Sequence, residues 1–159
     1  MNITVIAVGK MKEKHMVKVL EEYEKRLGRY CRLNLFEVPD KKAPENLSEQ
    51  EKEQVKKAEG DGILKNIKDG TYVIALDVRG KMLSSEEFAD KINSLGIKGI
   101  SNIAFIIGGS LGLSDEVKRR ADYVLSFSPM TFPHQLMRII LLEQIYRAFK
   151  IINNETYHK

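Results

Sequence analysis

Three short stretches carry residues whose types and spacing could do chemistry. The first is "FIIGGSLGLSD", Phe105 to Asp115, where an apolar run passes through Gly108, Gly109 and Gly112 into a helix start. A dinucleotide fingerprint needs G-x-G-x-x-G with an acid about 20 residues further on, and these glycines do not match it. No Gly-Lys-Ser/Thr follows them either, so no Walker A phosphate loop is present. Two readings stay open: the glycines permit a tight strand-to-helix turn, or their bare backbone admits a flat ligand. The second stretch is "LSFSPMTFPH", residues 125–134. Its Ser, Pro and Thr suit an ordinary turn, with Thr131 as a helix cap. Phe127, Met130 and Phe132 are nonetheless apolar residues in a loop, and they call for another chain segment or an adenine face to pack on them. The third is "LDVRGK", where Asp77 ends an apolar strand and either caps the following turn or serves the site.

The histidines offer less. His134 opens the last helix as a base, a ligand contact or simply a polar start. His158 lies in the terminal "NNETYHK", ordinarily a frayed tail, and His15 sits in an exposed basic segment. No Ser-His-Asp or Cys-His arrangement is assignable, and no pair of carboxylates stands out. The single cysteine, Cys31, excludes an internal disulfide, and no Cys/His spacing suits a metal.

These stretches need elements to hold them, and strands alternate with helices from end to end. Five β-rich runs begin at Ile3, Arg32, Tyr72, Asn102 and Tyr123. The first helix should bury Met16, Val19, Leu20, Tyr23 and Leu27 on one stripe. A second starts at a capping box, Ser48 with Glu51, and is weakened or ended by Gly60 and Gly62. A third is capped near Ser84 and closed by Gly96. A short fourth, "SDEVKRRA", has acids first and bases last, as the helix dipole favours. The last, after Pro133, is apolar over nearly its whole circumference, which makes it a core helix or the face of a C2 homodimer. Its basic residues Arg138, Arg147 and Lys150 are expected at a rim. The pattern predicts an α/β fold, a mostly parallel sheet with helices on both faces. In such sheets ligands bind outside the carboxyl ends of the strands, which is where all three stretches fall.

The bulk composition excludes several classes. At 159 residues the chain reads as one domain, residues 1–159, with an ordinary 43% hydrophobic and 30% charged content. No apolar run approaches the roughly 20 residues of a membrane span, and "MNITVIAVGK" has no basic leader. A cytoplasmic setting fits, with no membrane partner. A net charge of +4 permits a nucleic-acid partner without demanding one.

Taken in series, "ALDVRGK", "IGGSLGLS", "SFSPMTFPHQLMR" and the terminal "YH" resemble the bacterial ribosomal RNA large-subunit methyltransferase H family, a small SPOUT class. With "ITVIAVGK" the resemblance covers essentially the whole chain. It implies a C-terminal trefoil knot, which general rules of chain threading would not suggest. It implies a homodimer that uses S-adenosylmethionine to methylate N3 of a pseudouridine in helix 69 of 23S rRNA, acting on the assembled ribosome. By position, the cofactor site should involve Leu76, Gly108, Phe127, Ser128, Pro129, Met130, Thr131 and Phe132. A sulfonium cofactor has no phosphates, in keeping with the missing phosphate motifs. His158 with Tyr157, ordered against the partner subunit, is the expected pair for removing the N3 proton, and His134 is the second candidate. Lys10, Lys12, Lys14, Arg79, Lys81 and Arg138 are expected to supply phosphate contacts, few per subunit, so that affinity for naked RNA is weak and salt-sensitive. A non-catalytic RNA-binding module and a Rossmann-type regulator are the rival readings.

Overall fold

A computed structural model describes residues 1–42 and 44–159. The strands β1 (Asn2–Val8), β2 (Arg32–Val38), β3 (Tyr72–Met82), β4 (Asn102–Ile107) and β5 (Tyr123–Ser126) form one sheet in the order β2-β1-β4-β3-β5. Every pairing is parallel. Strands of such a sheet are buried on both faces and read as continuous apolar runs, as Ile103–Ile107 does.

Helices α1 (Lys14–Leu27), α3 (Ser85–Ile97) and α5 (His134–Ile152) cover one face. Their shared core includes Leu27, Phe88, Ile92, Phe105, Leu141 and Ile145. Helices α2 (Glu49–Leu64) and α4 (Asp115–Arg120) cover the other, over Ile6, Val73, Ile106 and Val117. The caps follow the sequence signals. Ser84 and Glu87 form a complete capping box, and Ser114 accepts from the Val117 amide at 3.3 Å. Ser48 accepts from the Glu51 amide at 3.2 Å, which is the first half of the expected box.

Four expectations are corrected. Helix α2 runs through Gly60 and Gly62 rather than ending there. A Cβ on Gly60 would stand 2.5 Å from Ser114 Oγ, and one on Gly62 would stand 2.6 Å from a Val38 methyl, so these glycines let α2 press against α4 and β2. Val19 is 42% exposed, while Leu20, Tyr23 and Leu27 of the same expected stripe pack against the core. Pro133, not Thr131, stands at the N-cap of α5, and no side chain caps that helix. Finally, β3 continues past Asp77. Leu76 and Lys81 both face Leu125 of β5, so Asp77–Gly80 arch out of the sheet between them.

Helix α5 settles between the two readings of its apolar surface. Leu141, Leu142, Ile145, Ala148 and Phe149 are buried under it, while Leu136, Ile139 and Ile140 remain half-exposed.

Candidate functional site

The carboxyl ends of β3, β4 and β5 open into one cleft of about 370 Å³. The arch after Leu76 forms one wall, the glycine turn after Ile107 the second, and residues 125–132 the third. This is where a doubly wound sheet changes direction: β3 is followed by β4 on one side and β5 on the other.

Each wall is locally tied. Asp77 Oδ1 accepts from the Arg79 amide at 2.8 Å, the turn-capping role foreseen for it, and Lys118 reaches its other oxygen at 3.4 Å. In the glycine turn the Gly112 amide donates to Gly109 O at 3.0 Å, with Gly112 at φ +87°, where glycine is favoured. A Cβ on Gly108 would stand 2.9 Å from Leu113 Cδ2. Gly108 is therefore needed by the turn itself, whatever occupies the cleft. In the third wall Ser126 Oγ, buried, donates to Ser128 O at 3.1 Å, and Ser128 Oγ accepts from the Met130 amide at 3.1 Å. That arrangement leaves Met130 72% exposed at the mouth of the cleft.

Of the residues named from sequence, Leu76, Gly108, Phe127, Ser128, Met130, Thr131, Phe132 and His134 line the cleft; Pro129 does not. His134 is half-buried, and burial, with Arg138 nearby, lowers its pKa below the ordinary 6.5. It is thus neutral and able to accept a proton near pH 7.

Tyr157 and His158 are elsewhere on this chain. Tyr157 Oη donates to Glu143 Oε2 at 2.8 Å, and its ring meets Tyr146 edge-on at 5.1 Å. His158 lies between Glu86 of α3 and Arg147 of α5. The tail is thus ordered by its own chain rather than frayed.

Arg138 is corrected from rim to interior. It is 5% exposed, and its guanidinium donates to Glu37 Oε2 at 2.7 Å and to the carbonyls of Val8 and Gly9. Glu37 also takes the Met11 amide at 2.6 Å, so this one ion pair fixes α5 to the turn after β1. Arg147 and Lys150 pair with Glu143 and Glu155. Glu59 was not anticipated: it is 4% exposed, and burial raises its carboxyl pKa. A lone Glu on a charged helix gave no signal of that.

Among the described residues no group of three His, Cys, Asp or Glu side chains could hold a metal, and no helix is long and apolar enough to cross a membrane.

A family model described as "Predicted SPOUT methyltransferase" matches residues 1–158. The chain is 69% identical over the full length of both proteins to Ribosomal RNA large subunit methyltransferase H of Alkaliphilus oremlandii, and 61% identical to that of Clostridium kluyveri, again over both full lengths. A probable methylase family protein from Haemophilus influenzae shares the fold, at a TM-score of 0.55 and 18% identity over 99% of this chain and 70% of that one. The all-parallel sheet, the cleft at its carboxyl ends and these full-length likenesses agree: the chain belongs to the SPOUT methyltransferases and, among them, to the ribosomal RNA large subunit methyltransferase H family.

Proposed function

We propose that this methyltransferase carries a methyl group from S-adenosylmethionine to N3 of a pseudouridine in helix 69 of 23S rRNA, on the assembled ribosome and as a homodimer. The observation that carries the reading is the three-walled cleft at the ends of β3, β4 and β5. Its size falls within the roughly 300–1,000 Å³ of small-molecule sites. Its walls fit the cofactor's parts: Leu76, Phe127, Met130 and Phe132 offer apolar surface for an adenine, and the Asp77–Lys118 pair offers both charges for an amino-acid end. When bound, S-adenosylmethionine supplies an electrophilic methyl group on a sulfonium.

The protein's own tasks are alignment and proton removal. Holding the acceptor nitrogen in line supplies much of the rate, since prepaid orientation lowers the barrier by several kcal/mol. The acceptor N3–H proton must leave, and His134, neutral and on the cleft wall, takes it and passes it to solvent. Tyr157 and His158, docked on α3 and α5 of their own chain, serve the partner's cleft across the dimer interface. The half-exposed apolar side of α5 supports such a pairing. The trefoil threading of the family belongs to the same reading.

Calorimetric titration with S-adenosylmethionine tests this directly. Thr131→Trp is the informative variant, because Thr131 lines the cleft and is exposed, whereas a side chain at Gly108 collides with Leu113. Wild-type binding weakened at least about tenfold in Thr131→Trp, or about 1.4 kcal/mol, supports the reading. Absence of binding, or equal binding in both, contradicts it.

A further inference from the structure

Helices α2 and α4 leave part of their side of the sheet uncovered. Ile6 and Ile106 are buried beneath them, but at the amino ends of β1, β2 and β4 the sheet opens into a cavity of about 360 Å³. Parallel strands are normally covered on both faces and apolar throughout. Here Asn2, Thr4, Asn34 and Asn102 hold strand positions that line the cavity, although asparagine is a poor strand former. The register sets them side by side: Asn2 lies between Arg32 and Asn102, and Thr4 between Asn34 and Ala104. Lys65, Asn66 and Lys68, just past the end of α2, complete the lining.

These groups have the chemistry of a nucleotide site. Arg32, Lys65 and Lys68 are exposed, and none pairs with a carboxylate among the described residues. No Asp or Glu lines the cavity, Asp69 beside Lys68 included. Phe36 of β2 is 43% exposed at the same place, an aromatic face on an open sheet. Asn2 Nδ2 donates to Asn102 Oδ1 at 3.0 Å, and Asn66 Nδ2 donates to Gly62 O at 2.7 Å. The Asn34 side chain has no such partner among the described residues, and it is half-buried rather than sealed. Cations for phosphates, an aromatic ring for stacking and amides for base edges are the set that binds unpaired RNA. The basic surface continues into the adjoining hollow, which shares Arg32 and adds Arg29, against a single carboxylate, Glu24.

We infer that this cavity is a second RNA contact, holding an unpaired nucleotide and its flanking phosphates in ribosomal RNA, distinct from the nucleotide that is methylated. It lies at the end of the sheet opposite the cleft; the seven residues of β1, at about 3.3 Å each, put roughly 20 Å between the two. The cavity and the cleft share no lining residue, so the contact grips the ribosome without touching the cofactor. It is on the α2 and α4 side of the sheet, so two copies paired through α5 leave it open. This rests on the functional reading above for its partner and adds where the chain holds that partner.

Equilibrium binding to intact ribosomes and to a short single-stranded oligouridylate tests the contact. The proteins compared are wild type, Lys65→Gln/Lys68→Gln, Phe36→Ala and a control of equal charge on exposed positions of α1, Lys18→Gln/Lys25→Gln. Losing two phosphate contacts should weaken binding to both RNAs about tenfold and flatten the slope of log Kd against log salt by about 1.4. Phe36→Ala should weaken both about tenfold with the slope kept, because stacking is not ionic. In every variant kcat on saturating ribosomes and the Kd for S-adenosylmethionine should stay within about twofold of wild type, which a misfolded protein would not manage. Unchanged affinities in both site variants overturn the inference, as does a control that loses as much as they do. A loss on ribosomes alone also overturns it, because a ribosomal protein would then be the partner. Ribosomes bound with the expected losses but never methylated would sink the functional reading and leave this contact standing.

Discussion

Arg147 Nη1 stands 3.1 Å from His158 Nδ1, and His158 Nε2 stands 2.7 Å from Glu86 Oε1. A guanidinium can only donate, so Nδ1 is the acceptor and the proton on Nε2 is donated to Glu86. Both ring nitrogens are therefore engaged, and the terminal residues are docked on α3 and α5 of their own chain. Tyr157 completes the dock through Glu143, which also takes the Tyr23 hydroxyl at 3.0 Å. Burial and Glu143 together push the Tyr23 pKa up to about 12, so the hydroxyl keeps its proton for this bond.

Removing residues 157–159 should leave the cofactor Kd unchanged, because the cofactor cleft of their own chain is lined without them and their proposed task at the partner's is with the acceptor. Methyl transfer to ribosomes should fall on the order of 100-fold, the usual penalty for losing a positioning contact. Calorimetry and single-turnover transfer separate the two effects. Undiminished transfer would remove Tyr157 and His158 from the mechanism.

His134 predicts the pH dependence. Its folded pKa lies below the ordinary 6.5, so the neutral form persists into mild acid. The log of kcat/KM should fall as pH drops through that lowered value, and His134→Gln should abolish this acid limb and reduce kcat about 100-fold. The same depressed pKa makes His134 cost stability in acid. The unfolded chain binds the proton first, so stability present above the unfolded value is lost as pH falls through the folded one. An unchanged pH profile in the variant would show that another group takes the proton.

Glu59 has the opposite sign. Burial raises its folded pKa, so its contribution is fully present below the unfolded value of 4.5 and is lost as pH rises through the folded value. Glu59→Gln, which cannot ionise, should therefore gain stability relative to wild type between pH 4 and pH 7. Urea unfolding at the two pH values measures this; a difference that does not grow with pH would contradict it.

Arg138→Met should cost about 2 kcal/mol, since the substitution strands the carbonyls of Val8 and Gly9 and leaves Glu37 without its charged partner. Urea denaturation reads the loss. A neutral result would mean that the turn after β1 holds without α5.

Much of this fold was legible because local signals and burial agree. Ile103–Ile107 is apolar and β-rich, and it is a buried central strand. Ser84, and the acids that open "SDEVKRRA", marked two helix starts that the structure keeps. The failures share a cause: partners distant in sequence. Gly60 and Gly62 looked like helix breakers because nothing nearby announces Ser114 and Val38 as the surfaces they admit. Arg138 looked like a rim residue because its partners, Glu37 and the β1 carbonyls, lie about a hundred or more positions away. The extension of β3 beyond Asp77 was hidden because Val78 is half-exposed and Arg79 and Lys81 are charged, which breaks the apolar run. At the site, the three cleft loops were visible as apolar or glycine-rich stretches after strands. The burial of Glu59 was not, since its carboxyl is enclosed only once α2 is packed against the glycine turn.

The most direct measurement is transfer of a labelled methyl group from S-adenosylmethionine to intact ribosomes and to naked 23S rRNA, with the modified nucleotide mapped by mass spectrometry. Label at N3 of a pseudouridine in helix 69, on intact ribosomes far more than on naked RNA, is the expected result. No label on either substrate, or label on a different nucleotide, would contradict the assignment.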